Sequence, residues 1–346
     1  MSDTVPDNAS PNNAWRKETP GHQGWARTAH ASDPDKYFMV SVDAHCVEPN
    51  DYLQKRIEKK YLNRIPKMIV DEDGAQWTIC EGMKPVLVKP GRNYEKHLPP
   101  LESFEEPDMF QPYSKRFEPE DFRRNHAGTT LEQRLRDLDA DGVDAEIIFP
   151  NKGLLAFGTA DSIFQGAMFR AWNRWALDEF SDNWGRCMPM AMIATGDLDG
   201  AAAEIEWAAL KGFKGLTMPT KPIFGPLADG ELQYNDKVFE PLWSLVEEVN
   251  LPITFHVSTG RDPRAVGGNG GALINYVSHS MSTVMDPLVH LISSGVFERH
   301  PRIKAGSIEG GIGWVPWMIE TLDYAHKAHH MWARPVLPEP PSFYYR

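Results

Sequence analysis

The feature that most constrains the fold is the alternation of short apolar runs with longer stretches of helical periodicity along most of the chain. Apolar runs of about four to eight residues fit buried strands, and longer stretches with an apolar stripe fit helices. Strands that alternate with helices in this way form βα units and a parallel sheet. The predicted strands are the run that begins at Phe38 and residues 143–149, 187–194, 213–218, 251–257 and 303–308.

The stretches between these runs carry helix signals. Thr129 or Thr130 suits the N-cap of a helix over 130–138, and Gly142 suits its end. The other predicted helices lie at about 161–181, 200–211, 237–249, 286–298 and 313–330. The chain is therefore predicted to be an α/β protein of the TIM-like (β/α)8 barrel type.

The predicted strands are too few to close such a barrel, because eight βα units are needed and the sequence supplies about six. Only Ser342–Arg346 remains after the last predicted helix, and this segment could begin a seventh strand and nothing beyond it. We therefore expect a barrel that is truncated before its last strands.

The domain organisation follows from composition along the chain. Residues 1–36 are polar and rich in Pro, Asn, Ser and Gly, which predicts a flexible N-terminal leader. Residues 37–346 form the predicted barrel domain. Within it, residues 51–128 interrupt the βα rhythm with Pro, Lys, Glu and aromatic residues, which predicts a long insertion after the first strand.

The charge and the cysteines narrow the kinds of partner. A net charge of -12 argues against nucleic acid and against an anionic membrane surface, and a small-molecule substrate is expected instead. Three scattered cysteines without a CxxC pair predict a reducing compartment. No run approaches the roughly 20 apolar residues of a membrane span, and no signal peptide is evident. These features predict a cytoplasmic protein.

Metal-competent side chains stand at the end of the first strand. The period of two places Asp43 and His45 on one face, with Cys46 and Glu48 opposite unless the strand has already ended. His45 is a candidate metal ligand, Asp43 could ligate or hold the histidine ring, and Glu48 could reach the ion from the loop. The alternative is structural: the carboxylates cap a turn and His45 is a half-buried polar residue.

Two further candidates end later strands. His256 closes an apolar run and precedes a polar, glycine-containing loop, where a neutral imidazole suits a metal ion. Glu309 ends the sixth run before Gly310 and Gly311, where it could act as a general acid or base or as a ligand. Structural alternatives again exist: a backbone carbonyl could satisfy His256, and the N-terminus of the following helix could satisfy Glu309.

Four segments together resemble the amidohydrolase-related family, in the branch that includes amino-carboxymuconate-semialdehyde decarboxylase and the resorcylate decarboxylases. The segments are Ser41–Pro49, with its Ser-Val-Asp-x-His-x-x-Glu-Pro pattern, Phe255-His256, the run from Ser294 to Lys304, and Glu309–Trp314. The resemblance extends over about residues 37–346.

The resemblance implies a distorted barrel with one divalent ion, zinc in preference to manganese, and homo-oligomers are a family-level expectation. His45 matches the first histidine of the family's His-x-His and His256 its fifth-strand histidine, whereas Val47 replaces the second histidine. The ion then needs an oxygen from Glu48 or Asp43. Glu309 stands where several relatives carry a catalytic histidine. The sequence stops before the family's Ser-Asp-x-Pro-His segment, whose aspartate binds the metal.

The function expected from these features is that of a metal-dependent hydrolase. Its substrate is expected to be a small aromatic or unsaturated carboxylic acid, or a related compound with a C–N or C–C bond to cleave. One alternative is a non-oxidative, metal-dependent decarboxylase, which uses the same ligands. The Asp-x-His-x-x-Glu-Pro start favours the hydrolase, because it departs from the decarboxylases' own first-strand patterns. A second alternative is a non-catalytic or degenerate barrel fragment.

Overall fold

The computed structural model describes residues 39–82, 85–89, 130–225, 230–260, 272–329 and 337–345. The predicted leader at 1–36 and the second half of the predicted insertion lie outside these residues. The chain divides into two compact units. The smaller consists of Met1–Val40, Pro66–Cys80 and Lys84–Ala145, and the larger of Ser41–Ile65, Glu81–Met83 and Glu146–Arg346.

The secondary structure of the described residues alternates strands and helices as expected. The strands are β1 (Val40–His45), β2 (Lys67–Val70), β3 (Gln76–Ile79), β4 (Val86–Lys89), β5 (Ala145–Phe149), β6 (Cys187–Pro189), β7 (Ala191–Met192), β8 (Leu216–Met218), β9 (Ile253–His256) and β10 (Ala305–Ile308). The α-helices are α1 (Tyr52–Arg56), α2 (Leu131–Asp141), α3 (Ser162–Phe180), α4 (Leu198–Lys211), α5 (Glu240–Val249), α6 (Ala272–Ser293), α7 (Val296–Arg299), α8 (Val315–His329) and α9 (Pro341–Tyr344).

The strands of the larger unit follow one another across the sheet in the order of the sequence. One sheet has the order β1-β5-β6, and a second has the order β7-β8-β9-β10 with every neighbouring pair parallel. The predicted strand at 187–194 joins them. Met190 N donates to Ile148 O at 3.0 Å, and Ala191 N donates to Gly215 O at 2.9 Å. One segment therefore pairs first with β5 and then with β8, and all six predicted strands are confirmed.

The helices begin and end where their caps require. The side chains of Thr130, Asp161 and Asp197 accept hydrogen bonds from the first turns of α2, α3 and α4. Gly142 and Gly212 end α2 and α4 with φ of 70° and 87°, a left-handed conformation that favours glycine. The helices predicted over 130–138, 161–181 and 200–211 are confirmed to within a few residues.

Two predictions near the C-terminal end need correction. The sequence allowed Ser342–Arg346 to begin a seventh strand, but α9 occupies Pro341–Tyr344, because Pro341 suits a first helical turn and Ser342 N donates to Asp323 Oδ1 at 2.8 Å. The helix predicted over 286–298 is two helices. α6 begins earlier and contains Pro287, and Gly295, at φ 75°, separates it from α7.

The smaller unit contains an antiparallel sheet that the sequence reasoning missed. Its order is β2-β3-β4, and Lys67 pairs with Ile79 and Val70 with Gln76. The turn between β2 and β3 depends on Asp71, whose Oδ1 accepts from Asp73 N at 3.0 Å and from Ala75 N at 2.8 Å. An Asp-Gly dipeptide between two β-prone runs was the available signal for this hairpin.

The core of the larger unit is built largely on α3. Phe164, Phe169 and Trp172 on this helix are almost completely buried, and Trp172 contacts Trp175 at a ring-centroid distance of 5.9 Å. Trp172 and Trp175 therefore both pack in the interior. Among the described residues, no helix combines the length and apolar character needed to cross a bilayer.

Candidate metal centre

Four polar side chains meet where β1, β9 and β10 end. Asp43 and His45 lie on β1, His256 is the last residue of β9, and Glu309 follows β10. In the predicted TIM-like barrel the carboxyl ends of the strands lie on one face, so these residues approach one another although they are far apart in sequence. The sequence reasoning predicted all four as site residues.

The ring of His45 is oriented by the turn after β5. Its Nδ1 lies 2.8 Å from the Pro150 carbonyl oxygen, which can only accept, so Nδ1 carries the hydrogen. In the neutral ring Nε2 is then a bare lone pair, and it lies 3.5 Å from Asp43 Oδ1. Imidazoles that bind metal ions are held in this way, with one nitrogen fixed by a carbonyl or carboxylate and the other presented to the ion.

His256 has the same orientation and is completely buried. Its Nδ1 donates to the Val257 carbonyl at 2.9 Å, and among the described residues its Nε2 has no hydrogen-bond partner. Nε2 lies 3.7 Å from Asp43 Oδ1 and 3.6 Å from Glu309 Oε2, beyond hydrogen-bonding distance. A buried polar atom without a partner is rare and costs roughly 1–3 kcal/mol, so this nitrogen needs a partner that the described residues do not supply.

The electrostatics favour a charged carboxylate beside the two rings. Burial by itself raises the pKa of Asp43, but interactions with His256 and His45 lower it more, and the net pKa lies well below the usual range. Burial lowers the pKa of His45, and Asp43 together with the Pro150 carbonyl raises it more. The carboxylate of Asp43 is therefore ionised at neutral pH and attracts positive charge to this point.

The aromatic ring of Phe149 forms an apolar wall beside the histidines. The rings of His45 and His256 meet edge to face, with centroids 5.1 Å apart and planes at 87°. The Phe149 centroid lies 5.1 Å from that of His256. Packing against these rings restricts their rotation and holds both Nε2 atoms toward Asp43.

Glu309 occupies a strained backbone conformation. Its φ is 60°, in the left-handed region that side chains with a Cβ rarely adopt, and half of its side chain is exposed. The next residue, Gly310, packs against α6 so closely that a Cβ there would lie 2.2 Å from Val284 Cγ2. Strain of this kind persists where the surrounding structure enforces it, often at functional sites.

The donor set fits one divalent metal ion. Asp43, His45 and His256 each offer one ligand atom, and these atoms all lie within 4.8 Å of one another. Two imidazoles and a carboxylate suit zinc, and oxygen donors also suit manganese. The orphaned Nε2 of His256 is the observation that such an ion explains.

The structure does not bring Glu48 into this group. Its two carboxylate oxygens accept four hydrogen bonds, from the backbone N–H groups of Asn151, Lys152 and Gly153 and from Trp172 Nε1. Oε1 accepts three of these hydrogen bonds and Oε2 accepts one, so both oxygens are held by groups outside the cluster of Asp43, His45 and His256. The sequence reasoning also missed the Pro150 carbonyl. The only signal for it was that the 143–149 run ends at the same edge of the sheet as His45.

Comparison with known proteins identifies the family. The sequence profile of the amidohydrolase family matches residues 93–346, which is more than half of the chain. The chain therefore belongs to the amidohydrolase family, a family of enzymes, as the sequence motifs indicated. No curated protein gave a significant match to the sequence.

Solved structures support the same fold. An amidohydrolase from Mycobacterium avium subsp. paratuberculosis K-10 is 21% identical, covers 89% of this chain and 80% of its own length, and superimposes with a TM-score of 0.70. A 5-carboxyvanillate decarboxylase from Novosphingobium aromaticivorans, solved with manganese and 3-methoxy-4-hydroxy-5-nitrobenzoic acid, is 18% identical with a TM-score of 0.55, covering 89% and 77%. These similarities confirm the TIM-like α/β fold.

Proposed function

We propose that this chain is a metal-dependent hydrolase whose single divalent ion is bound by Asp43, His45 and His256. The observation that carries the proposal is the buried Nε2 of His256, which faces the Asp43 carboxylate and has no hydrogen-bond partner in the part of the chain that the structure describes. Zinc is the proposed ion because two imidazoles and one carboxylate form a common catalytic zinc set. Manganese is the second candidate, and it is the ion bound by the 5-carboxyvanillate decarboxylase.

The protein groups have separate tasks in this proposal. The carbonyls of Pro150 and Val257 fix the two imidazole rings, and the Asp43 carboxylate provides negative charge. The bound ion would polarise a substrate carbonyl and lower the pKa of a coordinated water. The proposed substrate is a small aromatic or unsaturated carboxylic acid.

Glu309 is proposed as the general acid–base residue. Its Oε2 lies 3.6 Å from His256 Nε2, and half of the side chain is open to solvent. A carboxylate in this position can hold a proton beside the reacting group and return it to the leaving group. The strained backbone supports this role, because a residue free of functional constraint gains nothing from φ near 60°.

A carboxy-lyase is the second candidate. It uses the same ligands, and in this case Glu309 would deliver its proton to the carbon that loses carbon dioxide. The observation that favours it is the structural similarity to a decarboxylase of an aromatic acid, over 89% of this chain. A non-catalytic barrel remains the third candidate, and it predicts no stoichiometric metal.

A metal-binding measurement separates the enzymes from the non-catalytic barrel. Chelator-treated protein would be titrated with zinc and with manganese by calorimetry, alongside the variants His45→Gln and His256→Gln. We expect one ion per chain for the wild type and a loss of binding in both variants. The control is His326→Gln, whose ring contacts the Leu337 carbonyl away from the strand ends. Equal binding by all four proteins would contradict the proposed site.

Turnover of a panel of small aromatic carboxylic acids then separates the two reactions. Release of carbon dioxide with loss of the carboxyl group identifies a lyase. Consumption of amide or ester derivatives with retention of the carboxyl group identifies a hydrolase. Glu309→Gln is expected to lower kcat by roughly 100-fold or more in either case, because proton transfer contributes about that much.

A further inference from the structure

We propose that Glu48 is a positioning residue that fixes the orientation of His45 through the turn after β5. The inference rests on the proposed function, because it concerns how a metal ligand is held. It assigns to Glu48 the role of a buried anchor, where the sequence had suggested a metal ligand. The path has three links: the Glu48 carboxylate, the turn formed by residues 150–153, and the imidazole of His45.

The first link is the set of contacts made by the carboxylate. Glu48 is completely buried. Its Oε1 accepts from Asn151 N at 2.9 Å and from Gly153 N at 3.0 Å, and its Oε2 accepts from Lys152 N at 2.8 Å. Three consecutive backbone N–H groups thus converge on one side chain. A buried charge is tolerated when donors of this kind surround it.

Trp172 fixes the carboxylate from the other side. Its Nε1 donates to Glu48 Oε1 at 2.9 Å, and the indole is completely buried on α3, within the core of the larger unit. The carboxylate therefore connects the turn to a rigid element. A carboxylate that accepts several well-aligned hydrogen bonds holds its donors in one arrangement.

The second link is the turn itself. A Cβ added to Gly153 would lie 2.7 Å from Pro150 Cβ, 2.8 Å from Trp172 Cδ1 and 3.1 Å from Glu48 Oε1. The ring of Pro150, the indole and the carboxylate therefore pack closely around Gly153 and leave no space for a side chain there. The Lys152 ammonium adds a second connection, since Nζ donates to the Glu48 carbonyl and to Asn50 Oδ1, both at 2.7 Å.

The third link reaches the site. The carbonyl of Pro150, the first residue of this turn, accepts from His45 Nδ1 at 2.8 Å. That hydrogen bond selects the tautomer in which Nε2 is bare, and it sets the plane of the ring. If the turn moves, the Pro150 carbonyl moves with it, and His45 loses the contact that points Nε2 toward Asp43.

The role requires a carboxylate rather than any polar side chain. The four donors need an acceptor-only group, and glutamine would place its NH₂ group against at least one of them. Glu48→Gln is therefore nearly equal in volume but disrupts the arrangement. Glu204→Gln is a matched control. Glu204 is also a buried carboxylate, it accepts from Asn173 Nδ2 at 2.7 Å and from Arg174, and it has no contact with the turn.

The first test reads the orientation of His45 without any metal. Nitrogen-15 NMR of the chelator-treated protein at alkaline pH distinguishes the two neutral tautomers, with the His45 signals assigned by subtraction of the His45→Gln spectrum. The wild type and Glu204→Gln are expected to show His45 with the hydrogen on Nδ1. Glu48→Gln is expected to show a mixture of tautomers. An unchanged His45 signal in a folded Glu48→Gln protein would overturn the inference.

The second test measures zinc affinity by calorimetry. Glu48→Gln is expected to weaken zinc binding by roughly 10-fold or more, the usual effect of removing a group that orients a ligand, with Glu204→Gln at the wild-type value. Trp172→Phe removes one donor and keeps the aromatic ring, so a smaller change in the same direction is expected. If Glu48→Gln does not fold, Trp172→Phe is used for the zinc titration in its place. Zinc affinities at the wild-type value in both variants would overturn the inference.

The two tests separate this inference from the proposed function. If the wild type binds no divalent ion, the proposed metal site is wrong, and the tautomer of His45 still shows whether Glu48 orients the ring. If the wild type binds zinc and Glu48→Gln leaves both the tautomer and the affinity unchanged, the site stands and the positioning role does not.

Discussion

Two histidines of the larger unit, His300 and His256, each face two carboxylates, but only His300 lies within hydrogen-bonding distance of them. His300 Nε2 lies 2.9 Å from Glu240 Oε1, and its Nδ1 lies 3.3 Å from Glu247 Oε2. His256 Nε2 lies 3.7 Å from Asp43 and 3.6 Å from Glu309, and makes no hydrogen bond with any residue that the structure describes. The imidazole and carboxylates at His300 are thus hydrogen-bonded to one another, whereas those at His256 remain apart.

This difference indicates that the His300 arrangement is a structural network and that the His256 arrangement is not. Side chains that are free to move close the gap to about 3 Å, because each hydrogen bond to a charged group contributes roughly 1.5–3 kcal/mol. The strand ends, the Pro150 and Val257 carbonyls and the left-handed backbone of Glu309 keep the groups around His256 apart. A space of this size between donors suits a metal ion, which forms bonds of about 2 Å to each ligand.

The largest expected effect separates the two histidines by metal binding. His256→Leu removes one of the three proposed ligand atoms at nearly constant volume, and zinc affinity should fall by roughly 100-fold or more. Its free energy of unfolding without metal should stay within about 1 kcal/mol of the wild type, since loss of the Nδ1 hydrogen bond to the Val257 carbonyl is offset by removal of the buried Nε2. Calorimetric titration and urea unfolding of the chelator-treated protein measure the two quantities.

The corresponding variant of His300 should lose stability and keep its zinc affinity. His300→Leu removes contacts to Glu240 and Glu247, and the free energy of unfolding should fall by about 1–2 kcal/mol, because both contacts involve charged, partly exposed groups. Zinc affinity should be unchanged. Urea unfolding beside a zinc titration provides the check, and loss of zinc binding here would mean that the comparison between the two sites fails.

These contrasts also show what the sequence could and could not establish. The order of strands follows from the βα rhythm, and the approach of Asp43, His45, His256 and Glu309 follows from strand ends that share one edge. Glu48 was different. The strand ends at His45, so the direction of the Glu48 side chain depends on N–H donors from a turn distant in sequence, which no local periodicity describes.

Two other differences between the sequence predictions and the structure, in the β2–β4 sheet and near the C-terminal end, have physical causes. The sheet formed by β2, β3 and β4 depends on the Asp71 turn, and its short strands gave too little alternation to be recognised within the Pro-rich and Lys-rich insertion. The aromatic segment near the C-terminal end favoured a strand by propensity, but the hydrogen bond between Ser342 and Asp323 on α8 stabilises a helical turn. Tertiary contacts overrode local preference in this segment.

An intermediate effect is expected at Glu309, where the strain can be removed separately from the carboxylate. Glu309→Gly relieves the left-handed backbone, so the free energy of unfolding should rise by about 1 kcal/mol while turnover is lost. Glu309→Gln keeps the Cβ and the strain, and should lose turnover without gaining stability. Thermal unfolding of both variants, together with an activity assay, tests this. Equal stability of the two variants would mean that the backbone at this position is not strained.

The smallest effect is the loss of stability that is expected when low pH protonates Glu240 in the network around His300. The Arg299 guanidinium lowers the pKa of Glu240 to about 2 from 4.5, with a further contribution from His300. Because the pKa in the folded protein is the lower one, the stabilisation is complete above about pH 4.5 and is lost as the pH falls toward about 2. Solvent screening of this partly exposed group keeps the effect small.

This effect has to be measured as a difference in the free energy of unfolding between two proteins, because other carboxylates titrate in the same pH range. The stability gap between wild type and Glu240→Gln should narrow as the pH is lowered from about 6 to about 3 in urea unfolding experiments. The Glu206→Gln variant, which changes an exposed carboxylate on α4, serves as the control. A gap that remained constant for Glu240 would show that Arg299 and His300 do not stabilise its charged form. The contrast with His256 would then rest on geometry alone.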